Sequence, residues 1–222
     1  MTNKNIIVVQ SLLQKLPLSV LRDAQIVADL VRAFGIVQWG HPVFGDEEQF
    51  KNISVDMAGT YQTPNQIAKA LVYLSEFEIN SFLEVGVFQG GNFIFMSEYL
   101  RRFNPDIQCT GIDPTNYLNK QIASIINSED WLTFSGITSD EISKKKFDLV
   151  FIDGEYTGGW PERDYNNVGR FAKICMVHDI QETTCPDAVE FWKTLKKKKV
   201  EFLDCTSELP TQGIGIVHGG KE

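Results

Sequence analysis

The chain has no paired cysteines, no long apolar run and no concentration of positive charge, and each absence removes a class of protein. Cys109, Cys175, Cys185 and Cys205 lie far apart and form no Cys-x-x-Cys pair. A disulfide framework and a zinc site are therefore both poor fits, and four free thiols in a reducing compartment are expected. No stretch approaches the ~20 apolar residues that span a bilayer. Near the N-terminus the apolar run 6–9 gives way to Gln10, Ser11, Gln14 and Lys15, too soon for the core of a secretory signal. The expected location is the cytoplasm, with no membrane partner. With 21 Lys and Arg against 29 Asp and Glu, a net charge of −8 and a pI of about 5.0, the chain does not suit a nucleic-acid backbone, whose partners concentrate cations. The one basic run, residues 196–199, reads as the solvated end of a helix, where cations complement the macrodipole. Internal repeats and low-complexity segments are also missing.

What is present fits one α/β domain with an appendage: 222 residues, 43% hydrophobic and 23% charged. Val20, Ala24, Val27, Val31 and Phe34 recur at helical spacing before Gly35, and a weaker helical pattern covers 6–16. Residues 38–61 hold Gly40, Pro42, Gly45 and Gly59 and read as a linker or a lid. Thr63-Pro64-Asn65-Gln66 then opens a helix, with Thr63 at the cap, Pro64 at the first helical position and Gln66 completing a capping box. Residues 1–61 are thus expected to form an N-terminal helical extension, and 62–222 the main domain.

In that domain seven short apolar runs appear: 81–87, 107–112, 131–136, 147–152, 174–178, 200–204 and 213–218. Helical stretches at 92–102, 116–126, 140–145, 161–172 and 186–197 separate the first six. This alternation predicts parallel βαβ units in a doubly wound, Rossmann-like sheet. Only Pro210, Thr211 and Gln212 mark a turn between the last two runs, which suggests an antiparallel hairpin at one edge.

The chemistry centres on Phe82-Leu-Glu-Val-Gly-Val-Phe-Gln-Gly-Gly-Asn92. A buried strand enters Gly86, a loop reaches Gly90 and Gly91, and Asn92 can cap the helix that follows. Glycines here let the backbone turn sharply and approach a ligand with no Cβ in the way. The dinucleotide pattern G-x-G-x-x-G is broken by Phe88, which argues against a nicotinamide-dependent oxidoreductase. Asp113 ends the next strand, 27 residues after Gly86, where a carboxylate can accept both hydroxyls of a ribose; simple turn chemistry before Pro114 is the competing reading. Ligands of open α/β sheets lie beyond the carboxyl ends of the strands, so both features address one crevice.

At these residues the chain resembles the class I S-adenosylmethionine (SAM)-dependent methyltransferases. Glu84-Val-Gly-Val-Phe-Gln-Gly-Gly-Asn92 is similar to their first motif, and Asp113 falls at their ribose-binding acid. Phe147-Asp-Leu-Val-Phe-Ile-Asp-Gly-Glu-Tyr156, Met176-Val-His-Asp-Ile180 and Ala188-Val-Glu-Phe-Trp192 resemble segments of the branch of macrocin O-methyltransferases and cephalosporin-hydroxylase relatives. The resemblance covers roughly residues 62–218. It implies a seven-stranded sheet in the order 3-2-1-4-5-7-6 with strand 7 antiparallel, and SAM as cofactor. It also implies cofactor contacts from Glu84, Gly86, Gly90, Gly91, Asn92, Asp113 and Asp153, with 137–139, and Ser139 in particular, near the adenine.

Asp153 and Asp179 end the fourth and fifth runs, on neighbouring strands in that order. With His178 they could hold Mg²⁺ or Mn²⁺, which would acidify a substrate hydroxyl as a Lewis acid; alternatively they cap their loops. The branch reads Asp-His-Ser-Tyr after Asp-Gly, and its His is a candidate base. Here that position is Tyr156, whose ordinary pKa near 10 makes it a poor base without a nearby cation. The catalytic candidates are His178, Asp153 and Tyr156, with His41 as a further base. Trp39, Phe44, Tyr61, Tyr156 and Trp160 either line an acceptor pocket or are ordinary packing, and Trp192 is assigned to core. The expected activity is O-methylation of a small hydroxylated molecule or sugar. The alternative is a non-catalytic SAM- or nucleoside-binding protein acting through its N-terminal helices. That amphipathic helix pair also offers a surface for a homodimer.

Overall fold

A computed structural model describes residues 4–35, 59–203 and 212–219. The chain order is α1 (Lys4–Lys15), α2 (Ala24–Phe34), α3 (Pro64–Leu74), β1 (Ser81–Val85), α4 (Gly91–Phe103), β2 (Gln108–Ile112), α5 (Lys120–Ser128), β3 (Leu132–Ser135), β4 (Leu149–Ile152), α6 (Trp160–Asn167), β5 (Ile174–His178), α7 (Pro186–Thr194), β6 (Lys199–Phe202) and β7 (Ile214–His218). The strands form one sheet in the order β3-β2-β1-β4-β5-β7-β6. All are parallel except β7, which runs antiparallel to both β5 and β6. The expected order and the terminal hairpin are both observed.

Register and the two-residue period of strands sort the side chains into two cores. Phe82, Leu149, Phe151, Ile174, Met176, Ile214 and Ile216 share one face with α1 to α4. Leu83, Val150, Ile152, Cys175, Val177 and Val217 pack on the other, with Tyr165, Phe191 and Trp192. The three described cysteines are buried and unpaired.

Helix α4 is buried along its length from Gly91 to Leu100, because α1 and the sheet cover it from two sides. Polar anchors fix α1 there. The Arg102 guanidinium donates to the carbonyls of Gln14 and Leu16 at 2.6 and 2.8 Å, Tyr99 Oη donates to the Leu21 carbonyl at 2.7 Å, and Gln10 Nε2 donates to Glu98 Oε1 at 2.9 Å.

Several boundaries differ from expectation, each for a local reason. Helix α2 starts at Ala24, since Asp23 Oδ1 accepts the Gln25 and Ile26 amides at 2.8 and 3.3 Å. Helix α5 starts at Lys120, because Asn119 does the same for Gln121 and Ile122. Residues 140–145 give only a 3₁₀ turn (Ser139–Ile142), and α6 passes into another at Gly169–Phe171. Helix α7 ends at Thr194, so the lysine run lies beyond it; the Lys199 ammonium sits 4.7 Å from the Trp192 ring centroid and donates to the Trp192 carbonyl. Trp192 is core as expected, its indole donating to Glu201 at 2.7 Å. The capping box at Thr63 does not form. No described helix is long and apolar enough to cross a membrane. The expected linker or lid, with Trp39, His41 and Phe44, lies largely outside the described residues, as does Cys205.

Candidate functional site

The carboxyl ends of β1, β2, β4 and β5 carry the site. Gly86 leaves β1 at φ +88, a conformation that glycine adopts without penalty. A Cβ there would collide with the Asp153 carbonyl and Gly154 Cα. The missing side chain therefore serves contact between the β1 and β4 loops rather than keeping a ligand's path clear. At Gly91 a Cβ would strike the Gly59 carbonyl, so the segment leading into α3 lies directly on the start of α4. Gly90 caps α4, and a Cβ there would collide with Ile122 and Leu118.

Asp113, half-buried beyond β2, ties this loop down. Its Oδ2 accepts the Phe88 amide at 2.9 Å and its Oδ1 the Thr115 amide at 3.0 Å, so this carboxylate shapes the turn after its strand. Tyr61, Phe88 and Tyr117 form a chain of ring contacts with centroids 5.3 and 5.5 Å apart.

Glu84 faces the core shared with α4 and is 1% exposed. Burial first, then the charge of Asp153, pushes its carboxyl far above the usual range, against the opposing Asn92 contact and His178 charge. Asn92 is not a cap. It sits inside α4 and donates through Nδ2 to both Glu84 oxygens at 3.3 Å, leaving Oδ1 buried and unpartnered.

One strand over, Asp153 Oδ1 accepts Tyr156 Oη at 2.5 Å and His178 Nδ1 at 2.8 Å, and its Oδ2 accepts Gln62 Nε2. His178 Nδ1 also lies 3.3 Å from Asp179 Oδ2, which accepts Cys185 Sγ at 3.7 Å. Asp179 holds φ +57, a left-handed turn that aspartate tolerates better than most residues. Burial alone would lower the His178 pKa, but Asp179 and Asp153 outweigh it and hold the imidazole well above its ordinary value. Nε2 is buried with no partner. Tyr156 moves the other way for a base: burial and the two aspartates drive its phenol well above 10. It donates a hydrogen bond to Asp153 and so stands in the site as a donor.

The Ser139 hydroxyl donates to Asp164 at 2.6 Å and accepts from Asn167 at 2.9 Å, so its side chain is committed to α6. Trp160 is half-buried at the start of α6 under Arg163, 4.4 Å from ring centroid to guanidinium carbon. Asp153, His178 and Asp179 together offer ligand atoms within 4.8 Å of one another, as a metal site would need.

Two residues were not expected. Gln62 reaches Asp153 from ahead of α3. Gln212, held at φ +55 just before β7, donates to the Tyr61 carbonyl at 2.6 Å and accepts from Thr63 N and Oγ1 at 2.8 and 2.6 Å, while its amide donates to Glu182 at 3.2 Å. No local pattern marks either one, since their partners lie 91 and about 150 positions away.

A sheet in this order with an antiparallel seventh strand is the class I SAM-dependent methyltransferase fold. No protein-family model and no curated protein matches the sequence. Similar solved structures include the O-methyltransferase TomG from Streptomyces achromogenes, involved in tomaymycin synthesis, in complex with SAM (15% identity, 79% of this chain and 91% of that chain, TM-score 0.55). An O-methyltransferase from Bacillus cereus in complex with SAH aligns with 12% identity over 77% of this chain and 86% of that one, at a TM-score of 0.55. Cofactor-bound Rv0187 from MTB aligns with 16% identity over 80% and 92%, at 0.54. At such identities the likeness establishes the fold.

Proposed function

We propose that this chain is a SAM-dependent O-methyltransferase acting on a small hydroxylated molecule or sugar. The observation that carries the reading is a convergence on one edge of this sheet. Glu84, Asp113 and Asp153 stand at the ends of β1, β2 and β4, and buried polar atoms of Asn92, His178 and Gln62, each bonded to Glu84 or Asp153, have no partner. Buried polar groups are normally satisfied, so such a set suits a polar ligand. Glu84 and Asn92 would meet the amino-acid end of SAM, and Asp113 its ribose. SAM supplies an electrophilic methyl when bound. The solved structures that bind SAM or SAH on the same fold support this choice of cofactor.

The chain's own contribution is the placing and removal of a proton. The His178 Nδ1–H is held by Asp153 and Nε2 is buried without a partner. Because the two aspartates favour the imidazolium, His178 would act as a general base only once its Nε2 proton has left or a bound cation offsets the aspartates. The same three side chains fit Mg²⁺ or Mn²⁺, which would take the place of the proton on Nδ1 and acidify the acceptor hydroxyl. The non-catalytic alternative draws on Tyr156, which stands at the branch's histidine position and is committed to Asp153.

Calorimetry tests the cofactor. SAH should bind while NAD does not, and Asp113→Ala should weaken SAH by about 1.5–3 kcal/mol, the scale of hydrogen bonds to a charged acceptor. Failure of SAH to bind sinks the proposal. The metal has a separate readout. In chelator-treated protein with SAH present, added Mg²⁺ or Mn²⁺ should raise the melting temperature in a concentration-dependent way, and Asp153→Asn or Asp179→Asn should remove most of that rise. A flat response leaves His178 as base without metal.

A further inference from the structure

Gln62 is 3% exposed, its Nε2 is anchored on Asp153, and its Oε1 is buried with no partner. The contact to Asp153 fixes which way the amide points, because turning it over would set Oε1 against a carboxylate. The free oxygen therefore belongs to the site. Its surroundings select what it can accept. Asp153 touches it, Glu84 stands on the adjacent strand β1, and Asp179 follows β5 on the other side. Oε1 needs an N–H or O–H donor, which a ligand carboxylate or carbonyl cannot supply, and a cationic N–H is favoured because Asp153 and Asp179 face the single imidazole of His178 here.

We propose that Gln62 is a cofactor-contacting residue whose Oε1 accepts a hydrogen bond from the α-ammonium at the amino-acid end of SAM. This assignment rests on the SAM reading above. Gln62 comes from the segment lying on Gly91, so the N-terminal part of the chain would then help recognise the cofactor and would be coupled to Asp153 through one amide.

The test is calorimetry in the presence of a chelator, with SAH and with its desamino analogue, which keeps the carboxylate and lacks the ammonium. Wild type should prefer SAH by about 10- to 100-fold, the range for a charge-assisted hydrogen bond. Gln62→Met keeps the length and apolar bulk of the side chain and should lose most of that preference while binding the desamino analogue as wild type does. A variant that keeps the full preference, or weakens both ligands alike, overturns the assignment. Gln62→Asn, which withdraws the amide by one methylene, makes the same comparison if Gln62→Met melts far below wild type. A wild type that binds both ligands equally also overturns it. A wild type that binds neither overturns the SAM reading itself.

Discussion

At the scale of single residues, Gly86 shows how little room the site has. It combines φ +88 with a Cβ position already occupied by the Asp153 backbone. Gly86→Ala should therefore cost roughly 3 kcal/mol or more in urea unfolding, from left-handed strain plus displacement of the β4 loop, and SAH affinity should fall with it. Wild-type stability with lost binding would instead put a ligand against that position. Asp164 makes a different prediction. Burial raises its carboxyl from 3.8 to about 6, against the hydrogen bond from Ser139. The folded chain thus holds this proton more tightly than the unfolded chain. Its contribution is fully present below pH 3.8 and is lost as pH rises through about 6. Asp164→Asn lacks that loss, so its melting temperature relative to wild type should climb between pH 4 and 7, by the equivalent of roughly 3 kcal/mol at most. A pH-independent difference would remove Asp164 from the acid response. This pairing was not legible in the sequence, because Ser139 and Asp164 lie 25 positions apart with no shared pattern.

Among elements, α1 depends on a few long-range anchors. Arg102 takes the carbonyls of Gln14 and Leu16 at the C-terminal end of α1, where backbone acceptors lack intrahelical partners. Arg102→Ala should destabilise the protein by about 1–2 kcal/mol with an unchanged denaturant slope, and Arg102→Lys should recover part of it. No loss would mean that apolar packing alone seats the helix. Strands and helix centres could be read from the sequence because their signal is periodic and local, as with Phe82, Leu149 and Met176 on one face and Leu83, Val150 and Cys175 on the other. Strand-end acids could be read for the same reason. Thr63 and Gln66 could not: they have the spacing of a capping box, yet Thr63 bonds to Gln212 and Gln66 Oε1 accepts the Gly213 amide at 3.1 Å. Gln62, at no informative spacing, was invisible for the same reason.

For the whole molecule, β7 has consequences for how the chain is made. It is the last of the described strands in sequence, yet it lies inside the sheet, between β5 and β6. Until residues 212–218 have left the ribosome, β5 is an open edge, and it is made of five fully buried residues ending in His178. Such an edge is a template for pairing with other chains. Gln212, which joins Tyr61, Thr63 and Glu182, arrives in the same stretch. A growing chain can therefore assemble most of its α/β layers and still have no finished site. Chaperone demand during synthesis should rise in that interval, and a chain halted shortly before residue 212 should aggregate more readily than one that has added β7.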